Sequence, residues 1–392
     1  MLRLVNQTQD YAWGSPSAIP VILGAAATSD PVAELWMGAH PSAPSSAITK
    51  DGQVPLGDLV RDAPEDLLGP AVQARFGPAL PYLLKVIAAD APLSLQVHPR
   101  IDQAEAGFDA EEAAGIPIAS PDRSYKDRNH KPELLYALTP FDALCGFRSP
   151  VQAAGLLDLE APLARDLRAL LVSDRDPIRA AVTRLLDQAQ RPSPAEVDEV
   201  VRACSDQPAL TPDPDAYRTV ALLAESYPGD PGVIMSLLLN HVTLQPGEAI
   251  FVPAGAVHSY LQGVAVELQS SSDNVLRAGL TPKHLAIAEL LATIDCSAGP
   301  PRRIVPEEVD ASLVFRAPVD DFVLAVTTLD GDAGHALPGT GPRILLCLDG
   351  ELTVASTEES LVLRRGATAF VPAAEGALTV SGQGTLVQAD VP

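Results

Sequence analysis

Two polar residues interrupt a short apolar stretch, LSLQVHP, at residues 93–99. Side chains in a β-strand point alternately to the two faces of its sheet, so Gln96 and His98 share one face while Leu95 and Val97 share the other. A polar group on an inward face needs a hydrogen bond or a metal ion. Taken alone, His98 is most simply explained as a hydrogen-bonded core histidine, so a metal site requires further ligands elsewhere in the chain.

The segment NHKPELLYAL at residues 129–138 offers a carboxylate. Pro132 disfavours a helical conformation for the residue before it, and an extended chain would place Lys131 and Glu133 on one face. His130 would then point elsewhere unless the chain bends. A surface ion pair is the alternative explanation for Lys131 and Glu133, but the apolar residues that follow argue against full exposure.

A second histidine comes from GEAIFVPAGAVHSY at residues 247–260. The spacing from Gly247 through Pro253 and Gly255 to His258 is that of the second signature of cupin barrels. In that signature, proline and glycine form a turn, and the histidine begins the next strand and points into the barrel. The first cupin signature, a compact His-x-His with a glutamate nearby, is absent, and Gln96-x-His98 stands in its place.

Together, Gln96, His98, Glu133 and His258 would supply one amide oxygen, two imidazoles and one carboxylate. Two imidazoles and a carboxylate suit zinc, manganese or iron, and coordination positions left open for water or substrate mark a catalytic site. Because the set contains no thiolate and has a neutral oxygen donor, we favour one zinc ion per chain, acting as a Lewis acid.

A fourth group lies in VAVELQSSSDNVLRAGLTPKH at residues 264–284. Glu267 belongs to a predicted strand, and the polar SSSDN that follows predicts a loop, where functional residues are common. Arg277 is a good partner for a phosphate or an oxyanion because its donors form a fixed fork. The alternative is an ion pair with Asp273 that only shapes the loop.

The elements that must position these residues are mostly strands. Apolar runs at 81–89 and 92–99 predict strands, whereas residues 151–240 contain helical patterns at 176–190, 193–204, 213–227 and 230–240. Ser193 with Glu196 three residues later forms a capping box. We therefore predict a mainly β protein with an α-helical insertion. Its domains would be a discontinuous cupin domain (1–150 and 241–310), a helical domain (151–240) and a C-terminal jelly-roll domain (311–392).

An internal repeat supports the two-barrel arrangement. Residues 247–261 align at a constant offset with GATAFVPAAEGALTV at 366–380, which places Phe251 over Phe370 and Pro253 over Pro372. Repeated units of this kind suit antiparallel jelly-roll sheets. Ala377 stands opposite His258, so we predict that the C-terminal domain is a degenerate cupin barrel without a metal.

Composition narrows the range of partners. The chain has 392 residues and a net charge of −23, with a pI of about 4.5, which argues against nucleic acid and anionic membranes as partners. No apolar run reaches the ~18–20 residues needed to span a bilayer. The N-terminus lacks the apolar region of a signal peptide, and the four cysteines form no CxxC motif. A cytoplasmic location fits these features.

Several segments together resemble class I, zinc-dependent mannose-6-phosphate isomerases of the cupin superfamily. The similarity runs in order through YAWGS, ELWMGAHPSAPS, LSLQVHP, DRNHKPEL, GEAIFVPAGAVHSYLQG and SSDNVLRAGLTPKH. These motifs span roughly residues 10–290, and the C-terminal hundred residues match only in general character. The resemblance implies an enzyme that interconverts mannose 6-phosphate and fructose 6-phosphate and feeds mannose and GDP-mannose metabolism. We expect it to be a monomer that binds a small sugar phosphate.

The resemblance also implies roles for individual residues. Zinc would be held by Gln96, His98, Glu133 and His258, and Arg277 would be the catalytic arginine. The substrate pocket would be lined by Lys131, His130, Asp273, Glu267 and Lys85. The isomerisation passes a proton between C1 and C2 through an enediol, for which Lys131 and Asp273 are alternative bases. His130 or a metal-bound water would open the sugar ring, and Lys85, Ser94 and Arg277 are candidates for the phosphate. A sugar sensor and an iron oxygenase are the alternative functions, but neither explains the long match at 271–284.

Overall fold

The computed structural model describes residues 1–206, 213–283 and 285–392. Its strands are β1 (Leu2–Val5), β2 (Gln7–Gln9), β3 (Glu34–Gly38), β4 (Ser46–Thr49), β5 (Gly52–Pro55), β6 (Tyr82–Ala89), β7 (Leu95–Val97), β8 (Glu133–Ala137), β9 (Phe141–Phe147), β10 (Leu239–Leu244), β11 (Ala249–Val252), β12 (His258–Ser270), β13 (Leu276–Gly279), β14 (Arg302–Ile304), β15 (Glu307–Val309), β16 (Ser312–Phe315), β17 (Val323–Ala336), β18 (Arg343–Ala355), β19 (Ser360–Arg364), β20 (Thr368–Val371) and β21 (Thr379–Asp390).

The helices are α1 (Ala18–Ile22), α2 (Leu56–Asp62), α3 (Pro64–Leu68), α4 (Pro70–Phe76), α5 (Ile101–Ala113), α6 (Pro150–Leu156), α7 (Pro162–Ser173), α8 (Pro177–Leu186), α9 (Pro194–Asp206), α10 (Pro214–Ser226), α11 (Pro231–Met235) and α12 (Ile287–Thr293). Short 3-10 turns cover Ser236–Leu238 and Ala373–Glu375. In the described part of the chain, no helix is both long and apolar enough to cross a membrane.

The first sheet forms the barrel that contains the predicted ligands. Its main path runs β14-β11-β8-β12-β6-β3-β2, while β7, β9, β10 and β13 branch from β12 and from one another. The long strand β12 pairs with β6 and β8 at its C-terminal half and with β7 and β9 at its N-terminal end. This strand therefore belongs to both walls of the barrel and fixes their relative register.

The second sheet is built from both ends of the chain. Its order is β15-β16-β17-β21-β18-β20-β1-β4-β5, with β19 paired to β18. Leu2 of β1 pairs with Phe370 of β20, and Leu4 pairs with Ala47 of β4. The division of the chain into domains remains a prediction, but strands within residues 1–55 thus share a sheet with strands of the C-terminal hundred residues.

Packing explains the faces of the strand that carries Gln96. Leu95 and Val97 are buried in a core with the helices of residues 150–240, so the insertion covers the apolar face and leaves the polar face for the barrel interior. The two sheets pack together through another core, in which Tyr136 and Phe251 of the first sheet meet Phe315 of the second. The mainly β, cupin-type architecture with a helical insertion is the one predicted.

The helical insertion follows the predicted local signals with one difference. The capping box forms as expected, because the backbone N–H of Ser193 donates to Glu196 Oε2 at 2.8 Å and that of Glu196 donates to Ser193 Oγ at 3.4 Å. Helices α8 and α10 fall inside their predicted ranges. The helix predicted at 230–240 ends at Met235, and β10 begins at Leu239 because this apolar segment pairs with β9. Helix α5 was not predicted from the sequence. Ala104 is its one buried residue, so the segment lacks the apolar stripe by which an amphipathic helix is recognised.

Candidate metal centre

Strand register brings three of the predicted residues into one row. His258 begins β12 and pairs with Gln96 of β7, which in turn pairs with Arg277 of β13. Residues directly opposite each other on neighbouring strands point to the same face of a sheet. Arg277, Gln96 and His258 therefore lie side by side across three strands, in the region where Glu133 begins β8.

His98, Glu133 and His258 converge in the barrel interior. One ligand atom from each lies within 4.8 Å of the others, and all three residues are buried. His98 Nε2 is 3.1 Å from Glu133 Oε1, and His258 Nε2 is 3.5 Å from Glu133 Oε2. These residues could hold one metal ion, as the sequence predicted for this set.

Backbone contacts fix both imidazoles in the tautomer that a metal requires. His98 Nδ1 is 2.7 Å from the carbonyl oxygen of Asn274, and His258 Nδ1 is 3.0 Å from that of Ala256. A carbonyl only accepts, so each Nδ1 carries the proton and each Nε2 presents a lone pair to the site. His98 Nε2 is buried without a hydrogen-bond partner among the described residues. Two lone pairs aimed at a carboxylate repel it unless a cation lies between them, so the donor set fits a metal.

The protonation states also favour a metal. Burial, followed by the charge of Lys131, lowers the pKa of His98 to about 4, and burial lowers the pKa of His258. Burial opposes ionisation of Glu133, but His98 and Lys131 hold the pKa of that carboxyl well below its usual range. All three groups are thus in their metal-binding forms at neutral pH, because a ligand must be deprotonated to coordinate.

The ligands open onto a pocket with a largely polar lining. Its lining includes Gln96, Lys131, Glu133 and His258 together with Lys85 and Glu267. Gln96 is half-buried, and its pairing with His258 places its amide on the ligand face. The pocket can therefore admit a small polar molecule next to the metal ligands.

A buried charge network forms the floor of this pocket. Lys85 Nζ is 3.0 Å from Glu267 Oε2 and 3.8 Å from Glu34 Oε1, and it lies 4.8 Å from the centre of the Trp36 ring. Burial raises the pKa of Glu267, because it favours the neutral carboxyl. Burial alone would lower the pKa of Lys85, but the nearby carboxylates outweigh it, and Glu267 contributes most to the resulting rise. Lys131 Nζ is 3.4 Å from Glu133 Oε1, so each lysine has a carboxylate partner.

Arg277 differs from these lysines because no carboxylate among the described residues forms an ion pair with it. It is half-buried, burial lowers its pKa, and none of the ion pairs in the described part of the chain includes it. The predicted alternative, an Arg277–Asp273 pair that shapes the loop, is absent from those ion pairs as well. Asp273 instead accepts a hydrogen bond of 2.8 Å from Ser42 Oγ. A half-buried cation that no described carboxylate neutralises is suited to an anionic ligand.

Two of the predicted residues lie at the margin of this arrangement. His130 is directed toward the second sheet, where its Nε2 is 2.9 Å from Asp321 Oδ1. Ser94 is half-buried next to Leu93, which lines the pocket. His130 thus points away from Lys131 and Glu133, as an extended segment without a bend would place it.

Sequence reasoning missed the residues that support the ligands. Asn274 is fully buried and joins two segments, because its Oδ1 accepts from Lys126 N at 2.7 Å and its Nδ2 donates to the carbonyl oxygens of Asp127 and Asn129, each at 2.8 Å. Its own carbonyl holds His98. Tyr260 donates to Glu133 Oε2 at 2.8 Å. Asn274 belongs to the SSDN motif, and Tyr260 follows His258 by two residues. Their positions in these two motifs were the only sequence signals that could have indicated a supporting role.

Comparisons with known proteins agree over the whole chain. Residues 1–150 match the model of the phosphomannose isomerase type I catalytic domain, and residues 311–391 match the mannose-6-phosphate isomerase cupin domain. The chain is 40% identical to mannose-6-phosphate isomerase of Escherichia coli, covering 99% of each chain. It is 31% identical to the Bos taurus enzyme, covering 94% of this chain and 92% of the relative. The chain belongs to the mannose-6-phosphate isomerase family.

Solved structures of this family share the fold. A crystal structure of a phosphomannose isomerase variant from Salmonella typhimurium has a TM-score of 0.91 at 38% identity, covering 100% of this chain and 99% of that chain. A zinc-bound mannose 6-phosphate isomerase has a TM-score of 0.90, again at 38% identity with the same coverage. Membership of the mannose-6-phosphate isomerase family confirms the resemblance read from the sequence and the prediction that the protein is an isomerase.

Proposed function

We propose that the protein interconverts mannose 6-phosphate and fructose 6-phosphate with one zinc ion held by Gln96, His98, Glu133 and His258. The observation that carries this proposal is the convergence of three deprotonated ligands beside a pocket. We infer the substrate from the family relationship and the metal from the zinc-bound structures of relatives. When bound, zinc would supply a Lewis acid that polarises sugar oxygens.

Isomerisation requires a base close to the carbon that loses its proton. We assign Asp273, whose carboxylate is 40% exposed and receives a hydrogen bond from Ser42. Lys131 is the alternative, but its ammonium lies 3.4 Å from Glu133 Oε1, and acting as a base would cost this buried ion pair. Asp273 would take the proton from C2 of the open-chain aldose, leaving an enediolate, and return it to C1, while a proton passes from O2 to O1 to complete the ketose.

The enediolate oxygens carry negative charge during this transfer. Arg277 is supported as their partner, because it is half-buried and is paired with no described carboxylate. A preorganised cation in a site that excludes water stabilises a developing anion strongly. Protonated Lys131 would add a second positive charge. Arg277 also remains a candidate for the phosphate, together with Ser94.

The remaining residues are assigned to the walls of the pocket. Lys85 and Glu267 line it as a buried pair and would donate to and accept from sugar hydroxyls. His130 is our candidate for ring opening. Its Nε2 is engaged by Asp321, which leaves Nδ1 as the ring nitrogen that could exchange a proton with the sugar.

We place this activity in the cytoplasm, in the supply of mannose for GDP-mannose, and expect a monomer that binds neither nucleic acid nor membrane. The acidic composition, with a net charge of −23, supports the exclusion of polyanionic partners. The scattered free cysteines support a reducing compartment.

The test is a turnover assay combined with metal analysis. Zinc-loaded protein should convert mannose 6-phosphate to fructose 6-phosphate, a chelator should abolish conversion, and added zinc should restore it. Asp273→Asn should lower kcat by roughly 100- to 10,000-fold, the range for a general base, while zinc content stays the same. Absence of conversion by the zinc-loaded wild-type protein would overturn the proposed function.

A further inference from the structure

The loop between β3 and β4 contacts the carboxylate assigned as the base, although the activity gives this loop no role. His40 and Ser42 belong to the quoted stretch ELWMGAHPSAPS. Ser42 Oγ donates to Asp273 Oδ2 at 2.8 Å, and His40 Nε2 lies 3.6 Å from Asp273 Oδ1. Both oxygens of Asp273 are therefore contacted by residues two positions apart in one loop.

The orientation of the His40 ring is determined by its surroundings. Its Nδ1 accepts a hydrogen bond from the backbone N–H of Ser42 at 3.3 Å, so the ring proton is on Nε2 and faces Asp273. The Trp36 ring packs edge-on at 5.0 Å between centroids, and His40 is only 3% exposed. The imidazole thus presents a fixed N–H to the carboxylate.

His40 contacts Asp273 as a neutral group. Burial lowers the pKa of His40, Lys85 and Lys131 add to that effect, and Asp273 with Asp127 opposes it. A neutral donor orients a carboxylate but reduces its basicity less than an adjacent lysine or arginine would. A base that must accept a proton from carbon benefits from this combination.

The rest of Asp273 is also held in place. Its backbone N–H donates to Asp127 Oδ2 at 2.8 Å, and Ser272 Oγ donates to the other oxygen of Asp127 at 2.9 Å. Tyr11, Lys126 and Arg277 are the other ionisable groups close to this loop. The side chain remains partly exposed, so the contacts restrict its rotation without covering it.

We propose that His40 and Ser42 are positioning residues that orient Asp273 for proton transfer. This inference rests on the proposed role of Asp273 and adds two residues to it. Among the described residues, neither His40 nor Ser42 forms a hydrogen bond or an ion pair with a proposed metal ligand. Their removal should therefore affect the chemical step more than substrate binding or zinc content.

The experiment compares Ser42→Ala, Ser42→Thr, His40→Leu and His40→Gln in the zinc-loaded enzyme. We expect Ser42→Ala and His40→Leu each to lower kcat by about 10- to 100-fold, as misplacement of a catalytic group does, with KM within about threefold. Threonine at 42 should restore most of the activity because it keeps the hydroxyl. The rate of exchange of the C2 proton with solvent should fall in parallel with kcat.

His335→Leu is the matched control. His335 Nδ1 lies 2.8 Å from Asp310 Oδ1 in a similar pair at the surface of the second sheet, and its loss should leave kcat unchanged. In an Asp273→Asn background, Ser42→Ala should have no further effect on kcat. Ser42→Ala and His40→Leu with wild-type kcat, beside an impaired Asp273→Asn, would overturn the inference alone. Wild-type kcat in Asp273→Asn would overturn both the role of Asp273 and the inference.

Discussion

The two barrels each bury a carboxylate, and the surroundings give them opposite properties. In the first barrel, His98 and Lys131 hold the pKa of Glu133 well below its usual range despite burial. In the second, burial raises the pKa of Asp390 to about 6, against the opposing charge of Arg343. Asp390 Oδ2 has no hydrogen-bond partner among the described residues. Two similar scaffolds can therefore hold a buried carboxyl either ionised, as a metal ligand must be, or in a site where its ionisation destabilises the folded state.

The difference lies in what surrounds the shared turn. Both copies of the repeat have a glycine in the left-handed region, Gly247 at φ 90° and Gly366 at φ 77°, before strands β11 and β20. After Pro253 the first copy makes a short turn at residues 254–255 and begins β12 at His258, whereas the second copy forms a 3-10 turn and begins β21 at Thr379. In the first barrel, His98 and His258 lie next to the buried carboxylate of Glu133. In the second copy, the residue aligned with His258 is Ala377, which offers no imidazole.

The largest effect should come from making the first barrel resemble the second. His258→Ala removes one imidazole and leaves Glu133 facing a single histidine, so zinc content and kcat should both fall, with kcat lower by on the order of 1,000-fold. Zinc per chain is measured by elemental analysis of the purified protein. His335→Ala is the control, and full zinc occupancy of the His258 variant would contradict the assignment.

A smaller effect is expected from Gln96→Ala. The amide oxygen is a weaker donor than the imidazoles and the carboxylate, and Gln96 is only half-buried, so its loss should leave the fold intact and weaken zinc binding by about 10- to 100-fold. Competition with a coloured chelator gives the affinity. An unchanged zinc dissociation constant would show that Gln96 lies beside the metal without binding it.

The smallest effect on activity should come from Asp390→Asn in the second barrel. Because the folded pKa of about 6 exceeds the ordinary 3.8, the folded state holds a proton that the unfolded state has released, and stability falls as pH rises through this window. The variant cannot ionise, so above pH 6 its free energy of unfolding should exceed that of the wild type by up to about 3 kcal/mol.

Thermal unfolding at pH 5 and pH 8 tests this expectation. The difference in Tm between Asp390→Asn and the wild type should be larger at pH 8, and kcat should be unchanged. Asp332→Asn, at an exposed position of β17, is the control. Equal differences at the two pH values would show that the Asp390 carboxyl does not titrate as described.

Local patterns in the sequence predicted much of the fold and the ligand set. Alternation placed Gln96 and His98 on one face, and the cupin spacing placed His258 at the start of a strand. The constant-offset alignment placed Ala377 opposite His258, but Ala377 is exposed in the structure. The alignment holds through Pro372 and then fails, because the turn that follows is longer in the second copy. The constant offset between the two sequences gave no sign of this difference.

Support of the site was not predictable in the same way. Asn274 acts through hydrogen bonds to residues about 145 positions earlier in the chain, and His40 reaches Asp273 across more than 230 residues. Such contacts depend on how loops meet in space, and no local period encodes them. The motifs that contain these residues were visible, but their contacts required the fold.

The pairing of β1 with β20 has a consequence for how the protein is made. Residues 2–5 pair with a strand at 368–371, more than 360 positions later in the chain, so this pairing has to wait until the later strand has been synthesised. The β3–β4 loop that carries His40 and Ser42 leads into this same sheet, through β4. The sheet into which this loop leads is therefore complete only once residues 368–371 have been synthesised, long after the loop itself.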